Sequence, residues 1–546
     1  METHFSWIDW TVLAVYFTAT MGIGLYFHHK SRSTEGFTAA GRSLPGWACG
    51  LSILATYLSS ISFLALPGKA YAANWNPFVF SLSLPITIWV AVRYFLPYYR
   101  RTGEVSAYAH LEHRFGPWAR MYASVFYLLT QLARMGAVMY LMALPLSVLL
   151  GWDIRTIILI TGISVTVYAF VGGIVAVIWA DAMQSIVLMA GAGVCAVVML
   201  LGMPKGPGQI FSMAAAEHKF SLGSFGLSLS EPTFWVVLIY GVTMNLQNFG
   251  IDQSYVQRYI ASRSDREARK SVWLGGLLYV PVSAVFFFIG TSLFAYYHTH
   301  PAALEEVRTA AAVQRLQAEG VDPEAVTYQT QLEAERDDLT DADIGDKVFP
   351  HFIGAKLPVG VTGLLIAAVF AAAMSTVSTS LNSSATLIMR DYYQRYVNRS
   401  ADEHQSMRVL YGATIVWGLL GTGVALLLVR VTSALDAWWT LSGVFGGGMC
   451  GLFLLGMISR KAGNPAAVAG VCLGVMVISW MTLSQYFEGR WAVLRSPFHA
   501  FMIPVFGTLT ILLIGLLIAR LAASRKSACS SSAAEPDGQG GAPGGS

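Results

Sequence analysis

Apolar runs of about 20 residues recur along the whole chain, as in "IILITGISVTVYAFVGGIVAVIWA" at 157–180. Each is long enough to cross a hydrocarbon core of about 30 Å. A segment in that solvent must satisfy its own backbone hydrogen bonds, which leaves the α-helix as the structure such runs adopt. The expected fold class is therefore an all-α polytopic membrane protein. Composition agrees: 55% of residues are hydrophobic and 12% charged, with mean hydropathy +0.54, against about 25% charged in a soluble domain. The net charge of +4 sits in short loops and points to no nucleic acid. Cys49, Cys195, Cys450, Cys472 and Cys529 lack CxxC spacing, so neither a disulfide framework nor a metal centre is expected. The first apolar run has no basic leader and no small-residue cleavage site, and reads as a span rather than a signal peptide.

Thirteen candidate spans lie near 8–27, 47–66, 78–98, 121–150, 156–174, 178–201, 234–257, 273–297, 357–389, 408–429, 435–457, 465–486 and 499–521. An odd number puts the termini on opposite sides. Basic residues concentrate in loops of one parity, including Arg100, Arg101, Arg114 and Arg120, then Arg258 to Lys270, then Arg390 to Arg408. By the positive-inside rule the N-terminus is outside and the C-terminus cytoplasmic. Residues 1–523 read as one transmembrane unit. The acidic insertion 298–346 reads as a solvated outward excursion that begins with a charged amphipathic helix. The Ser/Gly-rich stretch 524–546 reads as a disordered cytoplasmic tail.

Four polar features fall where a bilayer should forbid them, and such groups are functional candidates by default. The stretch "MSTVSTSLNSSA" at 374–385 follows an apolar run directly. On a helix, Ala372, Ser375, Thr376, Thr379 and Ser383 share one face, with Ser378 at its flank. Hydroxyl oxygens suit a small hard cation; they also serve as contacts between membrane helices. Asp181 opens a span and is either a solvated interface carboxylate or the negative partner of that stripe. Arg134 lies 14 residues after Arg120, roughly 21 Å along a helix and near mid-membrane. Its forked donor set fits a carboxylate, either that of an anionic ligand or that of a buried acid such as Asp181. Two spans are interrupted: "ILATYLSSISFLALPGKAY", with Ser59, Ser60 and Ser62 at its middle, and "YGVTMNLQNFGIDQSYVQRY", with Asn245, Gln247, Asn248 and Gly250. Broken helices of this kind hold ion and substrate near the midplane of secondary transporters. The breaks fall in the second and seventh spans, as two five-span inverted repeats after one extra span would place them.

The segments "EGFTAAGRSLPGWACGLSILATYLSS", "GIDQSYVQRYIASRSDREARKS" and "AAAMSTVSTSLNSSATLIMRDYY", in this order, resemble the sodium/solute symporter family over about residues 8–520. The resemblance implies a leucine-transporter-type fold of two inverted five-helix repeats with about 13 transmembrane helices, and sodium as the coupling ion. It implies one sodium site built from the carbonyls of Ala55, Leu58 and Ala372 and the hydroxyls of Ser375 and Thr376. It implies a second from Asp181, Ser375, Ser378 and Thr379, hence two ions per cycle. Within the family the chain is most similar to bacterial sialic acid symporters. That likeness implies Arg134 as the carboxylate clamp, Ser59 and Ser62 on substrate hydroxyls, and Asn245, Asn248 and Phe249 on the substrate-side face. The sugar-transporting members have a tyrosine where Asn248 stands. Ser81 replaces the longer amide expected at its position, and the insertion is atypical.

The expected function is sodium-coupled import of a small carboxylate-bearing solute across a bacterial inner membrane, with sialic acid (N-acetylneuraminate) first. A sodium-coupled sugar or short-chain monocarboxylate symporter is the alternative. The partners are the anionic solute, sodium and the lipid bilayer, with no obligatory protein partner. No HExxH or GxSxG with partners supports an enzyme, and no repeated filter motif supports a channel. A transporter-like sensor would need signalling domains that the short tail does not supply.

Overall fold

A computed structural model describes residues 5–322, 324, 327–429 and 434–532. The helices that matter here are α1 (Trp7–Phe27), α2 (Gly46–Tyr57), α3 (Ser60–Ala72), α4 (Asn76–Thr102), α5 (Pro117–Leu150), α6 (Ile154–Leu201), α7 (Phe234–Ile251), α8 (Gln253–Ala261), α9 (Asp265–Thr299), α10 (Pro301–Ala318), α11 (Tyr328–Asp338), α12 (Asp341–Ala355), α13 (Val361–Leu387), α14 (Glu403–Leu428), α15 (Ala434–Ile458), α16 (Asn464–Leu483) and α17 (Met502–Ser532). Each of the thirteen expected segments falls on helix. Among the described residues ten helices are long and apolar enough to cross a membrane, and the bent pair α2–α3 adds one.

The 48 residues of α6 would span about 72 Å if straight, more than twice a hydrocarbon core. The helix reverses instead at Gly173 (φ 52°, ψ −157°). Before it, Gly162 meets Thr422 and Gly418 meets Thr166, so this half runs antiparallel to α14. After it, Asp181 meets Thr379 and Gly191 meets Ala368, so the second half runs antiparallel to α13. Helices α13 and α14 are consecutive and themselves opposed, so α6 comprises the two separate expected spans, 156–174 and 178–201. A side chain at 173 would be strained by the positive φ, and its Cβ would lie 2.7 Å from the Phe37 ring. Gly173→Ala is expected to cost about 2–5 kcal/mol from backbone strain and overpacking together. A thermal-unfolding midpoint in detergent equal to wild type would refute this reversal.

Two spans are broken as expected. The last helical bond of α2 is Leu58 N–H to the Leu54 carbonyl at 2.9 Å. Leu58 (ψ 117°) and Ser59 (ψ 170°) are extended, and α3 leaves at a 55° bend. Five spans on, α7 stops at Ile251, Asp252 (ψ 126°) is extended, and α8 restarts with the Asp252 side chain accepting from Ser254 N–H at 2.7 Å. Between the breaks lies α13, which is buried along almost its whole length and continues in wider turns through Ile388–Val397.

The insertion is helical and partly packed, rather than simply solvated. α10 buries Ala303, Val307, Ala311 and Leu316. Arg315 bridges Glu335 at 2.7 Å and Asp343 at 2.9 Å, tying α10 to α11 and α12. α12 lies on α3 so closely that a Cβ on Gly345 would sit 2.9 Å from the Gly68 carbonyl. At the other end, α17 runs to Ser532, past the tail boundary expected at 524; residues 533–546 lie outside the described residues.

Candidate functional site

The break after α2 frees its last carbonyls, because no helical N–H follows to take them. The hydroxyl stripe of α13 faces them. Ser375 Oγ lies 3.1 Å from the Ala55 carbonyl and 3.2 Å from that of Ala372; Thr376 Oγ1 lies 3.1 Å from the latter. All are buried. Ala55, Ala372, Ser375 and Thr376 thus form one oxygen cluster joining the broken helix to α13, and the carbonyl of extended Leu58 lies in the same break. Neutral oxygens of this kind suit a hard monovalent cation.

Asp181 is fully buried, which rules out a solvated interface carboxylate. Its partner is neither Arg134 nor solvent but Arg258 of α8, at 2.8 Å, with both side chains 0% exposed. Its Oδ2 also accepts from Ser52 at 2.6 Å and Thr379 at 3.4 Å. Arg258 donates further to Ser52, the Ser254 carbonyl and Thr379 at 2.7, 2.6 and 2.6 Å. One buried acceptor is left over: Asp181 Oδ1 has no hydrogen-bond partner among the described residues. A buried carboxylate oxygen without a donor calls for an explanation, and a cation ligated there supplies one. Ser378 turns back to the Ser375 carbonyl at 3.1 Å, so of the second expected ion set Asp181 and Thr379 stand in contact while Ser378 bonds to its own helix.

On the substrate side, Arg134 is half-buried on α5 and donates to the Thr56 carbonyl at 2.7 Å, in the last turn of α2 just before its break. It also acts electrostatically on Asp252, at the second break. The guanidinium therefore stands between the two discontinuities. Ser59 caps α3, accepting from Ser62 N–H at 3.4 Å. Phe249 is buried against the rings of Tyr57 and Tyr255, with centroids 5.8 and 5.0 Å away. Asn248 is half-buried and its side chain has no hydrogen bond among the described residues. Asn245 and Ser81 are both engaged by protein side chains. Asn245 is fully buried and saturated by protein: it accepts from Tyr57 and donates to Ser83 at 2.9 Å and to the Phe80 carbonyl at 3.4 Å. It ties three helices together rather than presenting an open amide. Ser81 bonds Ser283 at 2.9 Å, and Tyr279 interacts with Ser62, Ser81 and Ser283, forming a cluster of hydroxyls beside α3.

Sequence reasoning missed much of α8. All nine of its residues are buried. Gln253 holds the Val105–Ala107 loop with two 2.7 Å bonds, and Gln257 reaches Thr386 at 2.8 Å. Tyr127 joins Ser254 and Ser383 at 2.7 and 2.9 Å. The available signal was Gln253, Gln257 and Arg258 at helical spacing immediately after a break.

A broken helix with free carbonyls, a hydroxyl stripe against it, and a second break five spans later define an ion-coupled secondary transporter. The sequence model of the Sodium:solute symporter family matches residues 37–323 and 333–474. The sodium/sialic acid symporter NanT of Aliivibrio fischeri is 31% identical over 94% of this chain and 93% of its own length. SiaT of Proteus mirabilis, also a sodium/sialic acid symporter, is 31% identical over 96% and 98%. A solved structure of a Na+-coupled sialic acid symporter, substrate-bound and outward-open, superposes with TM-score 0.81 at 28% identity, over 94% of this chain and 98% of that one. The chain belongs to the sodium:solute symporter family. It is a multi-pass membrane transporter with the inverted-repeat fold, not an enzyme, and sodium is its coupling ion. Its bacterial transporter relatives imply the inner membrane.

Proposed function

We propose that this chain imports N-acetylneuraminate, with two sodium ions per cycle, from the outside of a bacterial inner membrane, its N-terminus outside and its C-terminus cytoplasmic. The observation that carries the substrate class is Arg134, a planar two-pronged donor between both helix breaks with one protein hydrogen bond among the described residues. Such a fork matches a carboxylate. The similarity to NanT and SiaT supports sialic acid among carboxylates.

In this reading sodium binds first, at Ala55, Leu58, Ala372, Ser375 and Thr376. It ties α2 to α13 and favours the outward-open state. A second ion takes Asp181 with Ser375, Ser378 and Thr379; the orphaned Asp181 Oδ1 supports it. The substrate carboxylate then meets Arg134, and its hydroxyls meet Ser59, Ser62 and Asn248 beside Phe249. Asn245 and Ser81 shape the pocket through Tyr57 and Ser283. Coupling requires that ion and substrate favour the same conformation. Two sodium ions with one monoanion move a net positive charge inward, worth about 2.3 kcal/mol per 100 mV.

The test is uptake of labelled N-acetylneuraminic acid into proteoliposomes, with and without an inward sodium gradient. Accumulation that needs sodium and rises with an inside-negative potential is expected. Uptake indifferent to sodium would refute the ion assignment. Absence of uptake, in protein that sodium still stabilises thermally, would refute sialic acid and direct the search to short-chain monocarboxylates and sugars.

A further inference from the structure

We propose that the arginine-rich ends of α4 and α9 form a binding site for an anionic membrane phospholipid. Two cavities lie here. One, of about 680 Å³, opens between Trp47 of α2 and the first turns of α9, where Arg266, Arg269 and Trp273 line it. The other, of about 350 Å³, is lined by Trp89, Arg93 and Arg101 of α4. Arg269 lines both and makes them neighbours.

The charge at this place is unbalanced. The carboxylates in the first cavity wall are already engaged. Asp265 accepts from Arg100 at 2.8 Å, and Glu267 accepts from Gly46 N–H at 2.7 Å and from Lys270 at 3.1 Å. Arg93, Arg101, Arg266 and Arg269 are exposed and make no ion pair among the described residues. Four guanidiniums without an ion pair among the described residues, around two neighbouring cavities, form a receptor for a phosphate.

The residues are also graded by depth. Along α9 the order is Arg266, Arg269 and Lys270, then Trp273 one turn further, then exposed Leu274 and Leu277. Along α4 it is Arg101, then Arg93 stacked over Tyr94 at 5.3 Å, then Trp89 and Ile86, both about half exposed. Charge, indole and aliphatic in succession match headgroup, interface and acyl chain. A soluble phosphate would use the guanidiniums but leave the outward indoles and aliphatics without a partner. The occupant that satisfies both is a diacyl phospholipid with an anionic headgroup, held by basic pockets between helices as in other membrane proteins.

The experiment is native mass spectrometry of the delipidated full chain, titrated with phosphatidylglycerol or with phosphatidylcholine of the same acyl chains. Phosphatidylglycerol is expected to bind at least tenfold tighter than phosphatidylcholine. The double variant Arg93→Gln/Arg269→Gln is expected to weaken it roughly 25-fold, from the contribution of two basic residues near a headgroup. The control Arg460→Gln, in a different loop, keeps wild-type binding. Sodium-dependent thermal stabilisation of the double variant establishes that it is folded. Equal binding of the two lipids, no loss in the double variant, or displacement of phosphatidylglycerol by millimolar inorganic phosphate would each overturn the proposal, the last by making the site one for free phosphate.

Discussion

Arg258→Met will lose about 3–5 kcal/mol of stability in sodium-free detergent and will not transport. The expected loss follows from what the substitution leaves behind. Removing one member of a buried ion pair strands the other charge in a medium that solvates it poorly, and this costs more than the pair itself contributes. Among the described residues Asp181 would keep only Ser52 and Thr379 as donors, with Oδ1 still unpartnered. Two further measurements separate this cause from general damage to α8. Asp181→Asn added to Arg258→Met removes the stranded charge and should recover most of the stability. High sodium should recover part of it in the single variant, because a bound cation replaces the guanidinium and stabilises by mass action. A single variant as stable as wild type without sodium would show that Arg258 and Asp181 do not form the closed pair described above.

Arg134→Ala is expected to lower sialic acid uptake at least 30-fold while sodium still stabilises the protein. In the proposed binding mode the substrate carboxylate meets the Arg134 guanidinium away from water, and truncating one side of such a pair costs about 2–5 kcal/mol. Arg134→Lys keeps the charge but not the fork, so a partial defect is expected. The variant also frees the Thr56 carbonyl. If that contact were Arg134's whole role, sodium stabilisation would fall with uptake, because Thr56 lies in the last turn of α2 beside Ala55. Loss of substrate response with sodium response intact identifies a substrate clamp; joint loss identifies a strut of the ion site. Unchanged uptake in Arg134→Ala would remove Arg134 from the site.

The contrast between Arg134 and Arg258 shows how far the chain could be read without coordinates. Arg134 stands out because it is the one charged residue between Arg120 and Asp153. In the sequence Arg258 reads as one of the basic loop residues, because a helix break hides depth: after Asp252 the chain no longer advances at a known rise from a known boundary. Asp181 shows the same limit. Its sequence neighbourhood fits either a solvated or a buried carboxylate, and the deciding partner lies 77 residues away. Asn245 was expected to meet substrate, yet Tyr57 and Ser83 saturate its amide. An amide in a span advertises only that it needs partners, and protein or ligand will equally do.

The class of fold, the approximate positions of the spans, both interruptions and the hydroxyl stripe are legible in the chain alone. Each follows from a local rule: a bilayer demands about 20 apolar residues per crossing, and it tolerates polar side chains and broken backbone only where something satisfies them. Only the tertiary structure decided which polar group satisfies which. It turned one 48-residue helix into two opposed crossings at Gly173, bedded α12 of the acidic insertion onto α3, paired Asp181 with Arg258, and set the Ser375 hydroxyl against the Ala55 carbonyl 320 residues earlier. Hydrogen bonds and ion pairs act over about 3 Å, and in a helical bundle that distance is set by packing between segments remote in the chain.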